Sequence, residues 1–528
     1  MNARWRWVWC CIAWPGLLAA PARAQIADPI RLEEGLLSGV PGTDSVVRVY
    51  RGIPYAAPPL ADLRWRPPVR AAAWEGVRVA DAFAPGCIQN VAGSRLPWTA
   101  EFMHQGSVAE DCLYLNVWTA APSAEAKRPV LVYLHGGGFS EGSGSVAVYD
   151  GEKLAKKGLV VVTINYRLGA LGFLAHPELT AESSHHASGN YGLLDQVLTL
   201  EWVRGNIAAF GGDPDNVTLA GQSAGAIAVY LLTASPLAAG LFHRAIVQSG
   251  PGGLAAFGLG SPHALAGPLV EAEARGTDFA AARGASSLSA LRAMPAADLA
   301  PTAAAGSPPL RFGPVVDGYF LPDDVVAIYA AGAQNDVPLL TGFNADEASA
   351  FPGYGTLTVD GLRQMATQRF GASADAFLAL YPAATDEAAG QAQKVSLRDA
   401  AAVALEQLAA ERARTAKTST YLYYFGRGIP WPEHPEFGAF HTAEVPYVFD
   451  NLGLLDRPWQ AVDREIADAV STYWVSFATT CDPNSPGRPP WPTYQDAPRA
   501  LMVLGEHTGL REIPSDDGRR TFFTASWH

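Results

Sequence analysis

The chain contains 528 residues, of which 49% are hydrophobic and only 17% are charged. This composition supplies a large apolar core and excludes an intrinsically disordered protein. The formal net charge of -13 disfavours binding to nucleic acids or anionic membranes, and no basic run or stacking-aromatic motif argues for either. No cluster of His, Cys and Asp has the spacing of metal ligands, so we expect no metal site.

The first 24 residues have the pattern of a secretory signal peptide. Arg4 and Arg6 precede a mostly apolar stretch over 8–18, and Ala-Arg-Ala at 22–24 is a small-x-small cleavage site, which predicts a mature chain beginning at Gln25. A membrane anchor is the alternative, but the apolar stretch is shorter than the ~20 residues that a span needs. We therefore expect export to a bacterial periplasm or the extracellular space, without a membrane anchor. The bacterial origin is inferred from the Ala- and Pro-rich composition and the form of the signal peptide.

Three cysteines remain after removal of this segment, namely Cys87, Cys112 and Cys481. Export permits a disulfide. A bond between Cys87 and Cys112, which flank a polar, loop-like segment, would close a loop of about 25 residues and contribute roughly 3 kcal/mol to stability. Cys481 is interpreted as an inert, small hydrophobic side chain.

Short apolar runs rich in β-branched residues predict five buried strands. They lie at 130–134, 159–165, 216–220, 337–343 and 420–425, and helical stretches separate them, including a helix of small residues over 224–233. Buried strands that alternate with helices indicate an α/β fold whose mainly parallel sheet is covered on both faces. The Ala-, Gly- and Pro-rich segment 251–309 is predicted to be a helical cap insertion. It is not a separate domain, because candidate catalytic residues lie on both sides of it, and residues 25–528 are therefore taken as one domain.

The third of these strands leads directly into Gly221-Gln222-Ser223-Ala224-Gly225. This is the G-x-S-x-G pattern of a nucleophile elbow, in which a sharp strand-to-helix turn exposes the serine oxygen. The backbone of such a turn is strained, so small neighbours are needed. The following helix N-terminus favours a developing negative charge. The five residues alone are a weak signal, but the strand before them and the helix after them make Ser223 a candidate nucleophile.

A glycine-rich segment, His135-Gly136-Gly137-Gly138-Phe139, follows the first strand. Glycines allow the backbone to approach a substrate carbonyl closely. In a fold with a nucleophile elbow, such N–H groups form an oxyanion hole together with the N–H that follows the nucleophile. We therefore expect Gly137, Gly138 and Ala224 to be the donors.

A serine nucleophile needs a base and an acid that orients the base, and the expected chain order is Ser, then Asp or Glu, then His. Asp346 and Glu347 follow the fourth strand, and His441 follows the fifth. Spacing alone does not choose between the two acids, nor among His434, His441 and the other histidines.

Beyond these patterns, the chain resembles the type-B carboxylesterase family, which includes the cholinesterases and bacterial para-nitrobenzyl-type esterases. The similarity extends from about Gly35 to Tyr494. The motifs that carry it are Arg51-Gly52-Ile53-Pro54-Tyr55-Ala56, Glu110-Asp111-Cys112-Leu113-Tyr114-Leu115-Asn116, the glycine-rich segment at 135–139, Gly189-Asn190-Tyr191-Gly192-Leu193-Leu194-Asp195-Gln196, Phe210-Gly211-Gly212-Asp213-Pro214 and the elbow.

The resemblance implies an α/β-hydrolase fold and hydrolysis of carboxylic esters. The resemblance also implies which acid and which histidine belong to the catalytic triad. The family acid closes an N-x-x-E motif, here Glu347, and the family base begins an H-x-x-E stretch ahead of Pro-Tyr-Val-Phe, here His441. The first disulfide of the family corresponds to Cys87–Cys112.

The chain departs from the family pattern at two positions. Gln222 stands where the family usually has Glu before the nucleophile, and Ala348 stands where it usually has Gly after the acid. The first departure leads us to expect a preference for neutral esters. The residues considered as candidates for the substrate pocket are Gln222, Phe139, Leu310, Phe312, Trp98 and Glu444. For Glu444 an equal alternative is an ion pair with a basic side chain.

Together these features predict a serine carboxylesterase that acts on a small-molecule ester through an acyl-enzyme, without a cofactor or nucleic acid. Two other functions were weighed. A lipase would act better on aggregated long-chain substrate, and a non-catalytic, cholinesterase-like binding module would be expected to have lost the nucleophile, which is present here. The sequence does not identify the natural ester or fix the oligomeric state, although a monomer is favoured.

Overall fold

A computed structural model describes residues 26–91, 93–257, 265–300, 312–513 and 517–527. The predicted signal peptide and Leu310 lie outside the described residues. No helix in these ranges is both long and apolar enough to cross a membrane.

A central sheet of eleven strands forms the middle layer of the molecule. In chain order its strands are β1 (Val40–Pro41), β2 (Arg48–Pro54), β3 (Tyr114–Thr119), β4 (Arg128–Leu134), β5 (Val160–Ile164), β6 (Gly212–Gln222), β7 (Arg244–Gln248), β8 (Leu339–Asn344), β9 (Thr420–Phe425), β10 (Ala500–Leu504) and β11 (Gly509–Glu512).

The spatial order of the strands is β11-β10-β9-β8-β7-β6-β4-β5-β3-β2-β1. The block from β10 to β5 is parallel throughout, and antiparallel strands complete both edges. Parallel strands need crossover connections, which place helices on the faces of the sheet. The predicted α/β fold with a mainly parallel sheet is therefore confirmed.

Fifteen α-helices lie among the described residues. They are α1 (Glu152–Lys156), α2 (Gly169–Phe173), α3 (Pro177–Glu182), α4 (Tyr191–Asn206), α5 (Ala224–Ala234), α6 (Pro251–Ala256), α7 (Leu269–Ala282), α8 (Leu288–Arg292), α9 (Val325–Ala330), α10 (Val359–Phe370), α11 (Ala374–Leu380), α12 (Asp386–Thr415), α13 (Val445–Val448), α14 (Ala461–Thr480) and α15 (Asp517–Ser526).

The sheet separates two apolar cores, because successive side chains of a strand point to opposite faces. Along β4, Val130 and Val132 enter the core that contains residues of α4 and α5. Leu131 and Tyr133 enter the core that contains residues of α13 and α14. This double burial explains why β4 appears in the sequence as a continuous apolar run rather than an alternating one.

The sequence predicted five of the eleven strands and missed the others. The missed strand β3 carries Asn116 and Thr119, which are buried but polar. Asn116 donates its side-chain amide to Thr163 Oγ1 on β5 at 3.1 Å, so its polarity is satisfied inside the sheet. Hydrophobic periodicity does not reveal a strand of this kind.

The described part of segment 251–309 contains α6, α7 and α8. Helix α6 packs against the long helix α12. The last residue before the gap, Phe257, contacts the ring of His441 edge-on with ring centroids 4.7 Å apart. The helical content predicted for this segment is therefore present in its described part, whereas its role as a cap stays a prediction.

Cys87 and Cys112 form a disulfide that joins residues 25 positions apart, with Cα atoms separated by 5.0 Å. The bond closes the loop that carries Trp98. Cys481 is not in a disulfide. It ends α14 in the left-handed conformation, and its sulfur accepts a hydrogen bond from Arg244 Nε at 3.2 Å.

Candidate active site

Ser223 lies at the turn between β6 and α5 with φ 59° and ψ -125°. A non-glycine residue with positive φ is strained, and the surrounding structure must hold it in place. The flanking glycines make this possible. A Cβ on Gly225 would lie 2.0 Å from the carbonyl oxygen of Leu134, and a Cβ on Gly221 would lie 2.5 Å from the carbonyl carbon of Gly225. The G-x-S-x-G pattern therefore follows from close packing around the turn.

The glycine-rich segment after β4 lies beside this turn. A Cβ on Gly136 would be 3.0 Å from the Cβ of Ser223, and Gly137 and Gly138 have φ of 107° and 61°. Within the described parts of the chain, no hydrogen bond uses the N–H groups of Gly137, Gly138 or Ala224. The Ala224 N–H lies directly after the serine at the N-terminus of α5, where the helix dipole adds positive potential.

His135 supports this segment and is not itself a base. Its ring stacks on Tyr166 with centroids 4.3 Å apart, and the Tyr166 hydroxyl donates to the His135 carbonyl oxygen at 2.8 Å. Burial lowers the pKa of His135 to about 4, so the ring is neutral at neutral pH. The sequence singled out the segment for its glycines, and the part played by His135 was missed because its partner comes from the end of another strand.

His441 and Glu347 meet on loops that follow the neighbouring strands β9 and β8. His441 Nδ1 lies 2.5 Å from Glu347 Oε2, and the two side chains are only 6% and 1% exposed. The other carboxylate oxygen, Oε1, accepts the backbone N–H of Asn344 at 2.8 Å. A buried carboxylate held in this way can orient an imidazole and stabilise its protonated form.

Side-chain contacts distinguish Glu347 from Asp346 and His441 from His434. Asp346 turns its carboxylate away from His441 and bonds to Arg398 Nη2 at 2.6 Å. His434 pairs with Glu436 at 3.0 Å in a contact whose side chains are 32% and 59% exposed. Of the two acids and two histidines considered, the structure brings together only Glu347 and His441.

Gln222, immediately before the serine, is entirely buried. Its Nε2 lies 3.2 Å from His441 Nε2. Its Oε1 has no hydrogen-bond partner among the described residues. The departure from the family pattern therefore lies directly against the nitrogen that a serine-activating base would use, and an uncharged amide stands where a carboxylate would place a negative charge.

Glu444 is buried behind His441 and not exposed to a pocket. Its Oε2 accepts from Asn344 Nδ2 at 2.5 Å, and its Oε1 accepts from Gln248 Nε2 at 3.1 Å. These partners are amides, so the predicted ion pair with a basic side chain is not formed. Burial raises the pKa of Glu444 to about 7, and the nearby charge of Glu347 acts in the same direction.

The remaining pocket candidates have different neighbours. Trp98 donates its indole N–H to His441 O at 3.1 Å and Thr442 Oγ1 at 3.0 Å, which joins the disulfide-closed loop to the segment that carries His441. Phe139 packs on Phe173 with centroids 5.0 Å apart. Phe312 packs on Phe279 at 4.9 Å. Phe257, which the sequence did not suggest, contacts the His441 ring directly.

The class of protein follows from the order of the sheet and from three positions at the ends of its parallel strands. The elbow follows β6, Glu347 follows β8 and His441 follows β9. That arrangement is the α/β-hydrolase fold. The chain also matches the model of the "Carboxylesterase family" over residues 29–517, and it belongs to that family.

Three relatives illustrate the range of the family. The "Fumonisin B1 esterase" of Sphingopyxis macrogoltabida is 40% identical over 525 aligned residues, which cover 95% of this chain and 92% of the relative. The "Para-nitrobenzyl esterase" of Bacillus subtilis (strain 168) is 34% identical, with coverage of 91% and 96%. The "Bile salt-activated lipase" of Bos taurus is 33% identical, with coverage of 89% and 82%. The chain is accordingly a carboxylic ester hydrolase with a small-molecule ester as substrate.

The buried carboxyl of Glu444 predicts a specific pH dependence of stability. Because its pKa is raised from 4.5 to about 7, folding holds a proton there that the unfolded chain releases above pH 4.5. This stabilisation is lost as the pH rises through about 7, and it amounts to roughly 3 kcal/mol at most. Glu444→Gln stays neutral at every pH, so its Tm relative to wild type should rise between pH 5 and about pH 7 and level off above that. A Tm difference that is constant over this range would show that Glu444 does not titrate as described.

Proposed function

We propose that Ser223, His441 and Glu347 are the catalytic triad of this esterase and that they act through a covalent acyl-enzyme. The observation that carries the proposal is the buried contact of 2.5 Å between His441 Nδ1 and Glu347 Oε2, beside a serine whose backbone is held at positive φ. A serine hydroxyl is a weak nucleophile at neutral pH, and an oriented, neutral imidazole is the group that activates it.

The reaction follows from these positions. Ser223 Oγ attacks the ester carbonyl carbon while His441 Nε2 takes the hydroxyl proton, and Glu347 stabilises the imidazolium that results. The N–H groups of Gly137, Gly138 and Ala224 bind the tetrahedral oxyanion, and each such donor typically contributes about 3 kcal/mol to transition-state stabilisation. The carbon–oxygen bond to the alcohol breaks, and His441 returns the proton to the leaving oxygen. Water then attacks the acyl-enzyme by the same steps and releases the acid and the free serine.

Gln222 is the basis for proposing neutral esters as the preferred substrates. A carboxylate at this position would lie next to the reacting serine and attract a cationic alcohol group. At about 4–5 Å and an effective dielectric near 20, one charge gives roughly 3–4 kcal/mol of Coulomb attraction, which water and local dipoles reduce to about 1–2 kcal/mol. The amide of Gln222 has a similar shape and provides none of this attraction.

We also propose that the chain is exported and that residues 1–24 are a cleaved signal peptide. The disulfide between Cys87 and Cys112 supports export, because such bonds form and persist in oxidising compartments. Protein exported from a bacterial host should begin at or near Gln25 when its N-terminus is sequenced. An exported form that retains Met1 would rule out cleavage.

The triad predicts a sharp contrast between two histidines. Ser223→Ala and His441→Gln should each lower kcat for a nitrophenyl ester by several orders of magnitude, because members of a triad act as a unit. The matched variant His434→Gln should retain wild-type turnover, since His434 lies in the exposed pair with Glu436. Circular dichroism should show that all three variants are folded. Near-normal turnover by Ser223→Ala would contradict the mechanism.

Substitution of Gln222 tests the preference for neutral esters. We compare kcat/KM for butyrylcholine with that for its neutral isostere, 3,3-dimethylbutyl butyrate. The wild type should favour the neutral ester, and Gln222→Glu should shift the ratio toward the choline ester by about tenfold. The shift should persist at high salt, because a local interaction is screened far less than the long-range field of the acidic protein. An unchanged ratio in Gln222→Glu would refute the role given to this residue.

A carboxylate at position 222 would also stabilise the imidazolium of His441. Gln222→Glu should therefore move the acidic limb of the pH profile of kcat/KM to higher pH. This profile is a second measurement on the same variant. A limb that stays in place would indicate that residue 222 does not face the base during catalysis.

A further inference from the structure

The acid and the base of the proposed triad belong to two different loops. The acid loop, residues 344–349, follows β8, and the base loop, residues 437–441, follows β9. The distance between Glu347 and His441 therefore depends on what holds the loops together. Asp346 is adjacent to Glu347, and its side chain is directed to the base loop.

Asp346 bonds to the base loop through both its backbone and its side chain. Its N–H donates to Ala439 O at 3.0 Å, and its Oδ2 accepts the N–H of Ala439 at 3.1 Å. Ala439 is two residues before the base. Gly438 fits this contact closely, because it has a φ of 54° and a Cβ there would lie 2.4 Å from Asp346 Oδ2.

The other carboxylate oxygen of Asp346 is anchored to the body of the protein. Oδ1 accepts from the Tyr354 hydroxyl at 2.8 Å and from Arg398 Nη2, on α12, at 2.6 Å. Arg398 Nε also donates to the carbonyl oxygen of Ala345 at 2.6 Å. The Arg398 guanidinium thus binds two consecutive residues of the acid loop, Ala345 and Asp346. The planar, forked geometry of arginine suits this arrangement.

Partial burial makes this pair more than a surface ion pair. The side chains of Arg398 and Asp346 are 29% and 16% exposed. By comparison, Arg363 and Asp360 on α10 form an ion pair with side chains that are 64% and 91% exposed. Exposed pairs of the second kind contribute little to stability or position, so the two pairs offer a matched comparison within one chain.

We propose that Asp346 and Arg398 are positioning residues that clamp the base loop to the acid loop and so fix His441 against Glu347. This inference rests on the proposed triad and adds two residues that touch neither substrate nor reacting atoms. Two further contacts, from Asn344 Nδ2 to Phe440 O at 2.9 Å and from Ser349 Oγ to Phe437 O at 2.7 Å, join the same loops. Neither of these contacts involves α12, whereas the Asp346–Arg398 pair links the acid loop to that helix.

Loosening the clamp should act on kcat more than on KM. The imidazolium exists only after proton transfer, so its orientation by Glu347 matters most in the transition state. Small misplacements of catalytic groups cost large factors in rate. Ester binding in the ground state does not use the base, and KM should change by less than about twofold.

The test compares Asp346→Asn, Arg398→Gln, the double variant and Arg398→Lys with the control Asp360→Asn. Active sites are titrated with a fluorophosphonate, and kcat for a nitrophenyl ester is measured per titrated site, well below the Tm of each variant. Each clamp variant should lose about tenfold or more in kcat. The double variant should lose no more than the worse single variant, because the two residues act through one contact. Arg398→Lys, which keeps the charge, should recover part of the loss, and Asp360→Asn should match wild type.

A merely structural role would lower Tm but leave kcat per titrated site unchanged, and that result would overturn the proposal. So would multiplicative losses in the double variant, or an equal loss in Asp360→Asn. If Asp346→Asn does not fold, the comparison of Arg398→Gln with Arg398→Lys decides the question alone, because these variants leave the bonds from Asp346 to Ala439 in place. Ser223→Ala distinguishes failure of the proposed triad from failure of the proposed clamp. If it remains active, the triad itself is wrong, whereas its inactivity together with unaffected clamp variants refutes the clamp alone.

Discussion

The site depends first on the strained turn at Ser223. A positive φ at a non-glycine residue persists only where the surrounding packing leaves no other choice. Here β6, the start of α5 and the end of β4 approach so closely that Gly225 has no room for a Cβ beside Leu134 O. The same closeness brings the glycine-rich segment against the serine. The proposed nucleophile and the proposed oxyanion donors are therefore placed by one packing constraint, at the ends of strands in the interior of the sheet.

Buried charge is the second organising feature. Glu347 is paired with His441, whereas Glu444 lies behind them with amide partners and a raised pKa of about 7. A third carboxylate at position 222 would add a negative charge to this small, water-poor volume, at a cost that rises with each like charge. Gln222 avoids that charge. The residue that sets the proposed preference for neutral esters therefore also lowers the electrostatic cost of the site.

The sequence was most informative where function depends on local backbone geometry. The elbow around Ser223 and the glycines at 136–138 could be predicted, because a strand, a turn and a helix must follow one another in a fixed pattern. The choice of Glu347 over Asp346 could not be derived from spacing and rested on family resemblance. In the structure, the reason is that Arg398, more than 50 positions away in the chain, draws the Asp346 carboxylate away from His441.

Other contacts between distant segments could not be predicted from the sequence either, because their partners are far apart in the chain. Phe257 meets His441 only because α6 packs beside the base loop, and no periodicity within 251–309 indicates that contact. Glu444 was considered a pocket residue or half of an ion pair, but its partners are two amides contributed by β7 and β8. Hydrogen bonds that satisfy a buried polar group depend on tertiary structure, which a local pattern does not contain.

The central claim, that Ser223 is the nucleophile of an acyl-enzyme, is tested most directly by trapping the covalent adduct. The enzyme is incubated with a fluorophosphonate, digested, and analysed by tandem mass spectrometry, with His441→Gln as a parallel sample. The proposed mechanism predicts stoichiometric loss of activity and a single phosphonylated residue, Ser223, with labelling strongly slowed in His441→Gln. An adduct on another residue, or full turnover after Ser223 has been labelled, would contradict it.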